Sequence, residues 1–301
     1  MSALSKTVPQ LRPLKGILLV VLATLAFAAA DVVTKQQAMR HPVSVVVAVR
    51  YLVNLALLTL IFWPGMRADL WRMQRRGLVI ARALCLAFAS LTMGLALKVM
   101  PVGETVAIVY LSPFAVMLLA IPLLGEKVSL GGWLGAIVGF LGVLLIVRPG
   151  SGLDSLGVIL ALLNAGCATA YHLLTRLLSR TESTAAMLYI TALVGSVFFC
   201  VLAVPSLQGL SVSLSDLAMM ALLGGLATLG HFLFTAAYRE APASLLAPVN
   251  YLHLFWAGGF GWLAFGHLPD AWSMTGMTLV CLSGMAAAWF ARPKQPIDPE
   301  A

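Results

Sequence analysis

A charge held in hydrocarbon costs roughly 2.5–3.5 kcal/mol on insertion scales, so each ionisable residue that interrupts an apolar run of this chain needs a reason. Asp31, Lys35, Arg50, Arg82 and Glu104 are such residues. Asp31 and Lys35 stand four apart, on one face of a helix, and Lys35 can stretch its stem toward the surface. A structural pair is the preferred reading and proton coupling the alternative. Arg50 and Arg82 admit two readings, contact with lipid headgroups or neutralisation of an anionic substrate group. Glu104 follows Pro101 at the opening of a helix, where the positive helix end favours a carboxylate, so capping is its expected role.

Hydrogen-bonding groups gather further along. Asn250, Tyr251, His253 and Trp256 occur in one apolar run, with Asn250, His253 and Trp256 drifting along one helical side. Pro248 just before them removes a backbone donor and can free a carbonyl. Tyr110 and Ser112-Pro113 form a similar group beside a proline in an earlier run. These residues are expected to bind a substrate near the membrane midplane; the plainer alternative is that tyrosine and histidine bond between helices. His231, with Asn164 and His172 as weaker companions, either exchanges protons near neutral pH or rests on a carbonyl. The expected binding set is thus Tyr110, Ser112, Asn250, Tyr251, His253, Trp256, Arg82 and His231. The expected gating or coupling set is Asp31, Arg50, Glu104, Pro113 and Pro248.

Other chemistry finds no support. The sequence has no HExxH, no GxSxG and no phosphate-binding loop, which argues against an enzyme. Cys85, Cys167, Cys200 and Cys281 each lie alone in an apolar stretch, so neither a disulfide framework nor a metal site is expected, and no cofactor. The 19 Lys+Arg against 11 Asp+Glu sit in short loops rather than in a patch, which speaks against nucleic acid as a partner. A passive pore would need a ring of like groups, which a single duplicated chain lacks.

The elements that position these residues follow from composition. The 301 residues are 61% hydrophobic and 10% charged, with a mean hydropathy of +0.98, whereas soluble domains are about 25% charged. Runs long enough for a bilayer, about 20 residues each, fall near 15–36, 44–63, 77–99, 103–123, 130–148, 155–178, 185–204, 215–238, 243–265 and 271–291. The expected fold is an all-α membrane protein of ten transmembrane helices. Lys15 before the first run could suggest a secretory signal, but that run continues through Asp31 to Lys35 and similar runs follow. Lysine and arginine are concentrated in alternate connections: Arg67 to Arg76, Lys127, Arg176 and Arg180, Arg239, and Arg292 with Lys294. The intervening ones hold only Lys35, Arg40, Lys98 and Arg148. Both termini are therefore expected in the cytoplasm of a bacterial inner membrane.

The chain also repeats itself. A shift of 141 residues lays Pro101 on Pro242, Tyr110-Leu111 on Tyr251-Leu252, Gly125 on Gly266 and Gly135 on Gly276, and with small gaps Arg148-Pro149 on Arg292-Pro293. The expected units are a tail at 1–14, a first five-helix repeat at 15–149, a second at 150–292 and a tail at 293–301. Five helices are an odd number, so the copies must enter the membrane from opposite sides, the inverted arrangement of many secondary carriers. Gly131, Gly135 and Gly139 form a small-residue stripe for close helix packing, within one molecule or between copies. A monomer or weak dimer is expected.

At these residues the sequence resembles the drug/metabolite transporter superfamily, and within it the EamA-like ten-helix carriers. The resemblance rests on Pro101-Val-Gly-Glu104, Leu111-Ser-Pro113, Leu123-Leu-Gly125-Glu126-Lys127 and Gly135 through Gly142 in the first half. In the second it rests on Ala236 through Pro242, Ala247-Pro248 and Trp262 through Pro269. It covers essentially the whole chain. It implies a cavity surrounded by the third, fourth, eighth and ninth helices, and a cargo of amino acids, other metabolites or amphipathic toxic compounds, most often moving outward. Among bacterial members the amino-acid exporters of the YddG type are the nearest comparison. His267 stands where these carriers often have an acidic residue, so no essential carboxylate is assigned to that corner.

Overall fold

Within lipid an apolar run has no partner for its peptide groups except itself, and so each run closes its hydrogen bonds as a helix. The computed structural model describes residues 13–66, 68–124, 130–148, 152–178, 181–241, 246 and 249–290. The described elements are α1 Pro13–Ala38, α2 Val43–Met66, α3 Arg76–Val99, α4 Val102–Val109, α5 Leu111–Leu124 and α6 Leu130–Ile146. They continue with α7 Ser155–Leu178, α8 Thr184–Ala203, α9 Leu214–Glu240, α10 Leu252–Phe265 and α11 Ala271–Phe290. Short polar residues set the boundaries. Ser183 and Ser213 accept from the backbone N–H groups of Ala186 and Asp216 to start α8 and α9, and Asp154 and Asp270 accept from Gly157 and Ser273 to start α7 and α11. Gly266 ends α10 at φ 69°, a left-handed cap suited to glycine.

Seven of the described helical stretches have the length and hydropathy to cross a bilayer, α4 and α5 counting jointly as Val102–Leu119. Leu130–Ile146 and Leu252–Phe265 are apolar but shorter. The expected ninth run, 243–265, begins in residues that lie partly outside those described, and Tyr251 breaks its helix, so that the regular stretch starts at Leu252.

The packing carries a two-fold pattern. α3 lies along α7 as α1 lies along α9, while α2 packs on α8 and α6 on α11. Under the 141-residue offset the first two pairings exchange and the last two map onto themselves. The α6–α11 contact needs glycine: a Cβ on Gly142 would lie 2.7 Å from the Gly276 carbonyl oxygen. Gly139 of the α6 stripe faces the Phe114 ring and Ser283, so that stripe packs within the molecule. The opposite face of α6 exposes Trp133, Leu134, Ile137, Phe140 and Leu144, while Thr24, Thr34, Gln37, Ser90 and Thr105 are buried. Apolar outside and polar within is the arrangement that lipid favours.

The two ends of the bundle can be told apart by their contacts. The starts of α1, α3 and α8 and the end of α9 share one end, where Lys15 pairs with Glu240 at 2.6 Å and Glu182 accepts from the backbone of Gln74 and Arg75. This is the N-terminal end. The far end gathers the ends of α1, α3, α6 and α10 and the starts of α4 and α11.

Candidate functional site

A cavity of about 400 Å³ runs from the N-terminal end to the middle of the bundle, within the range of pockets that hold small ligands. Exposed Ser183 and Thr184 stand at its mouth; Arg50, Tyr51, Asn54, Tyr171, Thr191, Thr228 and His231 line its deeper part, with Leu58, Phe62 and Phe232 as apolar wall. Helices α2, α3, α7, α8 and α9 supply the lining. The guanidinium of Arg50 is half-buried, 5.6 Å from the Tyr51 ring centre, and makes no hydrogen bond or ion pair with the described residues. Asn54, one turn further along the same helix face, has a buried side-chain oxygen with no hydrogen-bond partner among them. Among the described residues, no carboxylate lines this cavity.

Arg82 stands just behind the wall at 2% exposure. Its Nε donates to Thr175 Oγ1 at 2.7 Å, one Nη to Thr191 Oγ1 at 2.8 Å and the Met187 carbonyl at 3.2 Å, and the other to Tyr171 Oη at 2.7 Å. Its guanidinium carbon also lies 4.4 Å from the Tyr171 ring centre. All these partners are neutral, so a buried cation is satisfied in hydrogen bonds but not in charge. Tyr171 and Thr191 are shared with the cavity lining and connect Arg82 to it.

Beyond the cavity the middle of the bundle is shut. Phe27 of α1 stands with its ring 5.0 Å from His231, at the cavity wall, and 6.2 Å from His253. His253 Nε2 meets Asp31 Oδ2 at 3.0 Å, joining α10 to α1. Tyr110 packs 5.0 Å from Tyr251 and 6.0 Å from His253, and its hydroxyl donates to the Asn250 carbonyl at 2.8 Å. Tyr110 and Tyr251 interrupt their helices with nearly the same backbone, φ −66° and ψ 0° against φ −68° and ψ −12°. Both belong to one buried cluster with Val106, Ile108 and Leu254. Pro113 falls in the first turn of α5, where the break at Tyr110 leaves room for a residue without an N–H.

The far end is held by contacts between the two halves. Arg148 of the first half forms an ion pair with Asp270 of the second, and His267 Nε2 meets Glu104 Oε1 at 3.0 Å. Arg40 and His41 face Asp216 at 3.5 and 3.2 Å. The backbone N–H of Ser273, and then Arg148, lower the Asp270 carboxyl to about 2. A smaller cavity of about 170 Å³ lies here, bounded by Lys35, Met100, Glu104, Gly258, Phe265 and His267.

The sequence-expected residues are therefore divided. Arg50 and His231 line the main cavity, with Arg82 behind it. Tyr110, Tyr251, His253 and Asp31 lie together in the closed middle instead, with the Asn250 carbonyl as Tyr110's acceptor. Buried Ser112 lies 3.2 Å from Thr169 Oγ1, and Trp256 keeps its ring N–H buried without a partner among the described residues. Pro248 lies outside the described residues. The expected Asp31–Lys35 pair is absent, because Lys35 Nζ donates to the Leu97 and Met100 carbonyls at 2.8 and 2.7 Å. That is the negative end of α3, a better seat for a cation than an intrahelical partner. Glu104 does stand in the first turn of α4, and His267 supplies it with a partner from the second half. Sequence reasoning missed Asn54, Tyr171 and Thr191. The spacing of Asn54 from Arg50 was the available signal.

A bundle of apolar helices around a largely apolar cavity with a few polar side chains defines a multi-pass membrane protein built to hold small molecules. The model of the EamA-like transporter family matches residues 14–148 and again 155–288, starting points 141 residues apart. The chain belongs to this family of the drug/metabolite transporter superfamily and is a small-molecule transporter. It is 26% identical over 283 residues to a pseudopaline exporter of Pseudomonas aeruginosa, covering 90% of this chain and 95% of that one. It is 30% identical over 267 residues to a riboflavin transporter of Brucella anthropi, covering 86% and 93%. An S-adenosylmethionine uptake transporter of Rickettsia felis is 25% identical over 268 residues, covering 89% and 90%. A solved crystal structure at 16% identity matches with a TM-score of 0.66 over 93% of this chain and 96% of the other, a shared fold.

Proposed function

We propose that the protein is a secondary carrier of small metabolites, with amino acids as the leading cargo, moving them outward across a bacterial inner membrane by alternating access. The observation that carries this reading is the cavity that enters from the N-terminal end and stops at the Phe27–Tyr110–Tyr251 layer, while cross-half pairs hold the far end. The lysine and arginine distribution assigns the N-terminal end to the cytoplasm. Ten spans in two inverted five-helix halves then leave both termini on that side, with the cargo bound between halves. A monomer or weak dimer is the expected transport unit.

In this reading Arg50, His231 and, through Tyr171 and Thr191, Arg82 form the cargo site. Tyr110 and Tyr251, together with Ser112, Asn250 and Trp256, form the layer that must part. Pro113 and Pro248 give the broken helices room to bend. Asp31 with His253 and Glu104 with His267 are the embedded ionisable pairs through which a proton gradient would act.

Two other readings have support of their own. The apolar stretch of the wall at Leu58, Phe62 and Phe232 suits export of amphipathic compounds. The relative named as an S-adenosylmethionine uptake transporter favours import. Counterflow in proteoliposomes with labelled amino acids, metabolites and amphipathic dyes, loaded inside or outside, tests all three. Saturable exchange of amino acids supports the proposal; no flux of any compound in either direction overturns it.

A further inference from the structure

One bond at the far end has a counterpart built into the repeat. Lys35, in the last turn of α1, donates to the Leu97 and Met100 carbonyls at the end of α3. Leu97 can accept there because its regular helical donor, four residues on, falls at Pro101, which has no N–H. The 141-residue offset lays Thr34-Lys35 on Thr175-Arg176, and Leu97, Met100 and Pro101 on Tyr238, Ala241 and Pro242. The match extends to geometry. The Thr34 and Thr175 hydroxyls each donate to the carbonyl four residues back, both at 2.7 Å. Met100 and Ala241 each leave their helix in an extended conformation, their N–H groups bonded to Ala96 and Ala237. The end of α9 thus carries a second carbonyl seat, and Arg176 stands in the last turn of α7 at the same end of the bundle.

What differs is which helices meet. Gly16 of α1 packs on Ala241 and its counterpart Gly157 of α7 on Met100, so the pairs α1–α9 and α3–α7 are built alike. At the far end these pairs touch, α1 against α3. At the N-terminal end the corresponding helices, α7 and α9, do not pack together among the described residues. The main cavity lies between them, with Tyr171 on one side and Phe232, Thr235 and Ala236 on the other.

Resting on the carrier reading above, we infer that Arg176 is the latch of the cytoplasmic gate. As α7 and α9 close over the cavity, its guanidinium takes the Tyr238 and Ala241 carbonyls, and Lys35 leaves those of Leu97 and Met100 as the far end opens. One seat is filled in each state, and the two bonds set the balance between the states. Both are positioning residues, and neither touches the cargo.

The test reads that balance in the full chain in nanodiscs, with the four native cysteines replaced by alanine. Thr235→Cys places a thiol in the cavity, and its labelling by a bulky maleimide reports how far the N-terminal end stands open. Lys35→Gln should slow labelling by about tenfold, as for loss of a charge-assisted hydrogen bond from the state seen here. Adding Arg176→Gln should restore the rate, because both latches are then gone, whereas adding Arg176→Lys should not. Pro242→Ala, which gives the Tyr238 carbonyl an intrahelical donor, should restore part of it. A merely structural role would make the second loss worsen the first.

Arg176→Cys with Ala241→Cys should cross-link when air and copper phenanthroline supply the oxidant, faster in the Lys35→Gln background, and the disulfide should block counterflow until reduced. The native Lys35 background is measured as well, where folding is not in question. Slowed labelling that recovers, with the cross-link formed, supports the inference. Labelling that is unchanged in Lys35→Gln, or slowed without recovery, overturns it, as does absence of the cross-link in both backgrounds. Counterflow that persists through those failures leaves the carrier reading intact. Labelling shifts as expected with no flux of any compound would overturn the carrier reading and keep the exchange between the two seats.

Discussion

The two ends of the bundle use the same duplicated framework for opposite purposes. At the far end arginine and histidine side chains meet carboxylates across the halves: Arg148 meets Asp270, His267 meets Glu104, and Arg40 with His41 meets Asp216. Around the N-terminal cavity the cations have no such partners. Arg50 has none among the described residues, and Arg82 has only hydroxyls and a carbonyl. Paired charges close a surface, whereas unpaired ones wait for something to arrive. Between the ends lies a layer that is neither, in which the buried Tyr110 and Tyr251 rings pack beside the partly buried Asp31–His253 pair.

That contrast can be broken from the middle outward. Tyr251→Ala should have the largest effect, because its buried ring packs where a Cβ on Gly284 would stand. Loss of such a side chain costs about 3–5 kcal/mol, to be read as a fall in melting temperature in nanodiscs. Asp31→Asn should come next, costing about 1.5–3 kcal/mol by removing the charge from its bond to His253; pH-dependent flux, if it runs through this pair, should flatten in the same variant.

The N-terminal side should respond differently. Arg50→Gln removes a side chain with no described hydrogen bond, so its effect on melting should stay within about 0.5 kcal/mol even as substrate affinity falls. A large loss of stability there would mean that the cavity charges are structural after all. The smallest effect belongs to Asp270→Asn at the partly exposed outermost pair. Its carboxyl is lowered to about 2, below the ordinary value of about 3.9. The contribution of this seal is therefore complete above that ordinary value and lost as pH falls through about 2. Hydrogen exchange of far-end amides, taken relative to the intrinsic rate at each pH, should speed up in that acid window in the native protein, and at all pH values in Asp270→Asn.

Much of this organisation was legible in the sequence. Apolar runs and their breaks located the helices, and the offset that matched Tyr110 to Tyr251 picked out two residues whose backbones do interrupt their helices alike. The facing of those helices was not legible. A helix in lipid is apolar around its whole circumference, so no stripe tells which side meets protein, and Tyr110 and Tyr251, expected either to bind substrate or to bond between helices, pack against each other. Asp31 and Lys35 misled for a related reason. Their spacing fits an intrahelical pair, but each found a stronger partner on another helix. Asn54 escapes a reading led by charge, because an asparagine in the middle of an apolar run carries none.

The Phe27–Tyr110–Tyr251 layer, with the main cavity on one side and the smaller far-end cavity on the other, has an electrical consequence. Where water fills both cavities, the membrane voltage is concentrated across the closed middle between them. A charged cargo would then cross a larger share of the potential in a shorter step, out of about 2.3 kcal/mol per charge at 100 mV. The layer is in effect the dielectric of a capacitor whose plates are the two cavities.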